Sequence, residues 1–288
     1  MSNWRFRKGS QTDQRVRLEC GCVYNCYDPD KTILRVCDIH RERYTEMVEA
    51  GEVMTVESIK GRADEMKLYN ADCLPAMKEM PDNAFDLAIV DPPYGIDWMD
   101  QIQNPNTKAN WNVYKNKAWD KKPPDYEYFK ELLRVSDNQI IWGGNYFTDH
   151  LKPVSSWIIW DKMQEFSGAV FEMAWASFGT PAKAFRMSRA TAYCNQSKIH
   201  PTQKPVALYK WLLTNYAKPG QTILDTHLGS GSIAIACHDY GYDLTAYEID
   251  KEYFEAATER IERHKAQGQL FQAGEVMTAE SIKGRVGN

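Results

Sequence analysis

The chain has 288 residues, 43% of them hydrophobic and 26% charged, with a formal net charge of −4. That length and apolar content suit one large core with a small module attached, no apolar run approaches the ~20 residues of a membrane span, and Met1-Ser2-Asn3-Trp4-Arg5-Phe6-Arg7 does not read as a signal peptide, so a cytoplasmic location is expected. Acidic balance argues against polyanion binding by overall charge, yet residues 1–17, 105–122 and 182–199 are each locally about +4.

A β-hairpin comes first in chain order. Cys20-Gly21-Cys22-Val23-Tyr24-Asn25-Cys26 and Thr32-Ile33-Leu34-Arg35-Val36-Cys37-Asp38-Ile39-His40 flank Asp28-Pro29-Asp30-Lys31, where Asp first and Pro second favour a type I turn. Equal distances from that turn pair Cys22 with Cys37, while Cys26 would face Ile33, about 13 Å from Cys37 at ~3.3 Å per residue. Cys20, Cys22, Cys37 and His40 are then candidates to surround one metal at the open end of the hairpin. Thiolate and imidazole ligands at fourfold coordination mean zinc; the alternative is a reduced hairpin without metal. Cys73, Cys194 and Cys237 read as small buried hydrophobes.

Residues 50–62 recur almost unchanged as 273–285, with the single difference of Val56 against Ala279. Two copies do not make a solenoid. Duplication without function and short docking or dimer-forming elements both stay open, which makes a homodimer one candidate assembly. Just before the second copy, Gln267-Gly268-Gln269-Leu270-Phe271 loosely resembles the sliding-clamp-binding pentapeptide, so a clamp is another candidate partner.

The apolar run Phe85–Val90 predicts a buried strand ending at Asp91-Pro92-Pro93-Tyr94, where a site opens in an open α/β sheet. Asp91 and the Pro92 carbonyl are suited to accept hydrogen bonds from an exocyclic amine, and Tyr94 to stack on a base rotated out of its helix. Consecutive prolines hold such acceptors rigidly. Residues 105–122 follow, with Trp111, Tyr114 and Trp119 interleaved among five lysines, a composition suited to stacking and phosphate contact. Ile140–Phe147 and Trp157–Lys162 read as strands with aromatic ends, most of their Trp residues belonging to the core. Residues 182–199 hold Lys183, Arg186, Arg189 and Lys198 with no acid, and Arg can read guanine in the major groove.

Further on, His200-Pro201-Thr202-Gln203-Lys204-Pro205 opens a helix through Trp211-Leu212-Leu213. Thr222–Asp225 predicts a strand running into Thr226-His227-Leu228-Gly229-Ser230-Gly231-Ser232 and then a helix from Ile233 to about His238. Two glycines at a strand-to-helix turn let the backbone approach a ligand, and Glu248 at the end of the next strand stands where an acid binds ribose hydroxyls.

Together these residues resemble the β-type adenine-N6/cytosine-N4 DNA methyltransferases, in versions common among phage and mobile elements. Asp91–Tyr94 looks like motif IV, Asp225–Gly231 like motif I, His200–Pro205 like motif X, and Asn70-Ala71-Asp72-Cys73 like the stretch whose Asp faces the cofactor adenine. The resemblance covers roughly residues 67–265. It implies an α/β, Rossmann-like, doubly wound methyltransferase sheet, here behind a small N-terminal zinc-hairpin module, acting on double-stranded DNA with S-adenosylmethionine, as in restriction-modification. Asp91, Pro92, Pro93 and Tyr94 would be catalytic, and Asp72, Thr202, Lys204, Asp225, His227, Gly229, Gly231 and Glu248 would hold the cofactor. His227 departs from the family's Pro-Phe after the motif I Asp, and a neutral imidazole would have to substitute for the aromatic ring.

The organisation expected is a basic arm and zinc hairpin at 1–45, a linker with the first repeat copy at 46–66, the methyltransferase domain at 67–266 and a tail with the second copy at 267–288. Asp at the head of motif IV favours N6-adenine as the target. N4-cytosine methylation, and a non-catalytic zinc-containing DNA-binding protein that retains the fold, stand as alternatives.

Overall fold

The computed structural model describes residues 15–17, 23–25, 33–35, 65–96, 122–164, 169–193 and 198–273. At the N-terminus, β1 (Arg15–Arg17), β2 (Val23–Asn25) and β3 (Ile33–Arg35) form an antiparallel sheet in that order. The expected hairpin is there, with one strand the sequence reading omitted. Its register requires a correction: Val23 pairs with Arg35 and Tyr24 with Ile33, with an irregularity between them, so Ile33 does not face Cys26 as the equidistant pairing requires. A bulge inserts a residue in one strand, and a one-residue slip changes the face on which later side chains emerge. Cys20, Cys22, Cys37 and His40 lie outside the described residues, as do Cys194, residues 105–121 and both repeat copies except Ala273.

The main sheet has eight strands: β4 (Met66–Tyr69), β5 (Phe85–Val90), β6 (Ser136–Trp142), β7 (Trp157–Asp161), β8 (Phe171–Ala176), β9 (Lys183–Arg186), β10 (Thr222–Asp225) and β11 (Asp243–Tyr247). Their order is β4-β11-β10-β5-β6-β8-β7-β9. The strands from β4 to β6 are parallel; β8 is antiparallel to both β6 and β7, and β7 runs parallel to β9.

Alternation along β5 explains why helices cover both faces. Leu87 and Ile89 pack with Ile140, Trp142 and Trp160 against α4 (Val206–Tyr216), α5 (Ser232–Tyr240) and α6 (Lys251–Ala273). Ala88 and Val90 face the opposite cluster, built with Met77 of α1 (Cys73–Glu79) and Phe129 and Leu132 of α2 (Tyr126–Val135). A strand buried on both faces is expected to read as a continuous apolar run. Truncating a fully buried side chain such as Leu212 to Ala should cost ~2–5 kcal/mol. The short α3 (Arg189–Tyr193) lies between β9 and α4 in the chain.

Local signals set the helix ends. Asp72 and Asp125 accept the N–H groups of Leu74 and Tyr128 at 2.9 and 3.1 Å, capping α1 and α2. Gly241, left-handed at φ +68°, closes α5 by donating to the carbonyls of Cys237 and His238. Helix α6 continues past residue 266 to Ala273, so Gln267–Phe271 is helical.

Strands β10 and β5 are hydrogen-bonded neighbours, with Leu224 opposite Ala88. From β10 the chain goes on to β11 on one side, and from β5 to β6 on the other. A crevice forms outside the carboxyl ends where strand order reverses in this way. Asp91 and Asp225 stand there.

Candidate active site

Asp91-Pro92-Pro93-Tyr94 leaves the end of β5 and turns back so that the Tyr94 hydroxyl donates to Asp91 Oδ1 at 2.7 Å. The other oxygen, Oδ2, takes a short hydrogen bond from Lys204 Nζ. Lys204, only 2% exposed in its side chain, also meets Glu172 Oε2 at 3.2 Å and lies over the Trp142 ring, 5.1 Å from its centroid. Glu172 Oε1 pairs with Lys162 Nζ at 2.7 Å. Two ammoniums thus share two carboxylates in one cluster. These groups line a cavity of about 450 Å³ with Pro92, Pro93, Tyr146 and Phe171, within the usual size of small-molecule sites.

The Tyr94 side of the cavity depends on a glycine. Gly143, at φ +68°, follows β6, and a Cβ there would sit 2.2 Å from a carbon of the Tyr94 ring. No L side chain fits without displacing that ring. Tyr94 is also stacked on Tyr146, with centroids 5.1 Å apart and planes 17° from parallel.

Electrostatics divide the carboxylates. Burial raises the pKa of Asp91, with Lys204 opposing and Glu172 adding to the rise. For Glu172, burial pushes upward but Lys204 and Lys162 prevail and hold it at about 2. Lys204 is raised: burial pulls it down, and Asp91 and Glu172 more than compensate.

On the β10 side, the loop after Asp225 is held at several points. Glu248 is buried and accepts the Gly229 N–H at Oε2 and the Asp250 N–H at Oε1, both at 2.9 Å. Gly229 and Gly231 are left-handed at φ +53° and +72°. A Cβ at Gly231 would crowd Ile261 at 3.0 Å, so this glycine seats the loop against α6. Arg260 donates to the Ser230 carbonyl at 2.7 Å and to Ser232 Oγ at 3.0 Å. Thr202 Oγ1 is 3.1 Å from His200 Nδ1, which lies 3.8 Å from where a Gly229 Cβ would stand. Residues 200–202 therefore border the glycine loop.

Asp225 is buried and accepts the His227 N–H at 3.0 Å; burial raises its pKa to about 8, Asp91 and Glu248 adding to the rise. His227 is lowered to about 4 by burial, against the pull of Asp72. The ring is thus neutral at pH 7, with Nδ1 2.9 Å from Thr226 Oγ1 and Tyr128 edge-on at 5.6 Å.

The fold brings together the residues expected from motifs I, IV and X. Lys204 turns toward Asp91 and Glu172. Asp72 is engaged as a helix cap. Cys73 and Cys237 are buried, as expected of inert thiols, and burial holds Cys73 at about 12. Arg186 pairs with Asp161 at 3.4 Å, an acid supplied by another strand. Lys162 and Glu172 were absent from the expected site; a lone acid in the apolar run Phe171-Glu172-Met173-Ala174-Trp175-Ala176 was the available signal. Tyr128, hydroxyl to hydroxyl with Thr226 at 2.7 Å, and Arg260 were also missed. Among the described residues no group of three or more His, Cys, Asp or Glu could hold a metal, and no helix is long and apolar enough to cross a membrane.

A glycine-lined loop, an acid beyond the neighbouring strand and an Asp-Pro-Pro-Tyr turn, all at the carboxyl edge of a mixed sheet, describe an α/β protein with a cavity at the end of β5. Residues 145–259 match the family model for N6/N4 methylases, described as DNA methylase. The type II methyltransferase M.HpaI of Haemophilus parainfluenzae is 25% identical over 247 residues, covering 69% of this chain and 74% of the relative. M.BglII of Bacillus subtilis, also a type II methyltransferase, is 22% identical over 248 residues, covering 66% and 67%. Among solved structures, M1.HpyAVI in complex with S-adenosylmethionine is similar at 19% identity and a TM-score of 0.44, over 68% of this chain and 99% of that one. The chain is thus similar to N6/N4 DNA methylases over residues 145–259 and to type II methyltransferases over a longer stretch.

Proposed function

We propose that the protein methylates the N6 amine of adenine in double-stranded DNA. The observation that carries this reading is the placement of Asp91 and Tyr94 on a cavity at the end of β5, one strand away from the Gly229–Glu248 loop at the end of β10. S-adenosylmethionine, when bound, supplies a methyl group on a sulfonium.

The residues present fit that cofactor. Glu248, just past the end of β11, accepts the Gly229 and Asp250 N–H groups and stands where an acid can take a ribose hydroxyl. Gly229 is left-handed at φ +53°, a conformation that lets the loop backbone approach a ligand closely. In this reading Asp72 faces the adenine ring, and Asp225, Thr202 and the Gly229–Gly231 loop border the methionine end.

An exocyclic amine is a poor nucleophile because its lone pair is delocalised into the ring. Asp91 and the Pro92 carbonyl accept its hydrogens, which localises the pair and stabilises the positive charge that develops at nitrogen. With the cofactor held by Glu248 and the glycine loop, its methyl group would pass to the amine nitrogen, and the proton then released would go to the Asp91 carboxylate that accepts it. Tyr94, whose ring is fixed by Gly143, stacks on the base. Arg186 and Arg189 are the candidates for reading flanking base pairs, and residues 105–122 for phosphate contact. A structural zinc at Cys20, Cys22, Cys37 and His40 belongs to the same reading, and elemental analysis of the purified protein tests it.

Sequencing of DNA from cells expressing the protein, reading modified bases directly, tests the function. N6-methyladenine in a fixed context supports it, whereas N4-methylcytosine would reassign the base. Unmodified DNA despite calorimetric cofactor binding would reject base methylation, and absence of both would favour a DNA-binding protein that retains the fold.

A further inference from the structure

Both oxygens of Asp91 are occupied: Oδ1 by the Tyr94 hydroxyl at 2.7 Å and Oδ2 by the Lys204 ammonium. A target amine needs one of them. Lys204 also comes within 3.3 Å of the Tyr94 hydroxyl, so its ammonium is placed across the approach to the acceptor. An ammonium this buried cannot withdraw to water and needs another anion to move toward. Glu172 is that anion, at 3.2 Å, and is itself fixed from the far side by Lys162.

We propose that Glu172 is a positioning residue that shares the Lys204 ammonium with Asp91, so that Lys204 can release the carboxylate when the amine arrives. The proposal rests on Asp91 being the amine acceptor. Lys162 keeps the Glu172 carboxylate in place and weakens its hold on Lys204, so the ammonium is captured by neither carboxylate. Without Glu172, Lys204 has Asp91 as its sole carboxylate partner in this cluster, and the amine must compete with a buried ion pair.

Charge balance gives a second reason. Asp91, Glu172, Lys204 and Lys162 together are neutral, and bringing a sulfonium beside them adds one positive charge. Loss of Glu172 would leave Asp91 alone against both ammoniums and the incoming charge. Glu172 is distinguishable from ordinary packing because it lies on β8 with its carboxylate aimed into the cavity rather than into either apolar cluster.

Single-turnover methyl transfer with Glu172→Gln tests this, at saturating DNA and S-adenosylmethionine. The rate should fall at least tenfold while both dissociation constants stay within threefold. The double variant Glu172→Gln/Lys162→Met removes the buried lysine that the single change leaves unpaired. It should recover the melting temperature of the wild type but not its rate. The acid limb of the rate profile supplies a readout that packing does not move. The groups facing or acting on Asp91 are Tyr94, Lys204, Glu172, Asp225 and Tyr209. Of these, Glu172 raises its pKa and Lys204 lowers it, so Glu172→Gln should move the acid limb to lower pH. A rate within threefold of wild type in either folded variant, or an unmoved acid limb in the single one, overturns the proposal. If the wild type itself transfers no methyl group, the methyltransferase reading fails first, and the two failures are thereby distinguished.

Discussion

Lys204 and Asp91, 113 residues apart in the chain, form a buried ion pair at the point where β5 gives way to the Pro-Pro turn. The pair joins the turn that should hold the target amine to the segment that opens α4. Asp91→Ala would remove the acceptor while leaving Lys204 its second partner, Glu172, so the fold should survive. Methyl transfer should drop by at least about a hundredfold, the scale of losing one preorganised group at a reacting centre. S-adenosylmethionine affinity, measured by calorimetry, should stay within a few-fold. Near wild-type turnover would show that another group accepts the amine.

Glu248 anchors the backbone of the glycine loop through Gly229 and the entry to α6 through Asp250. Glu248→Ala should therefore weaken cofactor binding by about 1.5–3 kcal/mol, as expected for hydrogen bonds to a charged group. DNA binding without cofactor should scarcely change. Titration calorimetry on the two proteins checks this, and equal cofactor affinities would remove Glu248 from the ribose site.

Gly143→Ala introduces a methyl group where the Tyr94 ring stands, in a left-handed backbone that Ala adopts poorly. Strain of that kind costs of order 1–3 kcal/mol, which a denaturant titration would register. Displacing Tyr94 by about an ångström should slow methyl transfer by roughly a hundredfold while cofactor affinity holds. A normal rate would mean that the base is positioned without that ring.

Two buried groups give stability opposite slopes against pH. His227, lowered to about 4 from 6.5, binds fewer protons folded than unfolded, so its contribution is present above pH 6.5 and is lost as pH falls toward 4. Asp225, raised to about 8 from 3.8, binds more protons folded, so its contribution is present at low pH and is lost as pH rises through 8. Between pH 4 and 6.5 the two slopes oppose each other, and from 6.5 to 8 Asp225 acts alone. Melting temperature without cofactor should decline across that upper window in the wild type and less in Asp225→Asn. Parallel curves would mean that Asp225 is ionised throughout.

The motifs in contiguous stretches were legible because each couples a strand end to a turn. Phe85–Val90 and Thr222–Asp225 are strands with the bounds their apolar runs predict, and Glu248 follows directly on the end of β11. The helix expected from Ile233 to His238 extends a little at both ends, to Ser232 and Tyr240. Trp142 and Trp160 proved to be core residues. What escaped was long-range pairing. Local spacing could not reveal that Asp91, just past the end of β5, and Glu172, on β8, both approach Lys204. The N-terminal register failed for a related reason: counting from a turn assumes an unbroken ladder, and an irregularity between Val23 and Tyr24 invalidates the count.

The most direct test of the central claim is mass spectrometry of nucleosides from duplex DNA incubated with the purified protein and methyl-labelled S-adenosylmethionine. Labelled N6-methyldeoxyadenosine is expected with the wild type and none above background with Asp91→Ala. Equal label in DNA treated with the two proteins, or no labelled nucleoside from a wild-type protein that binds both cofactor and DNA, would contradict it.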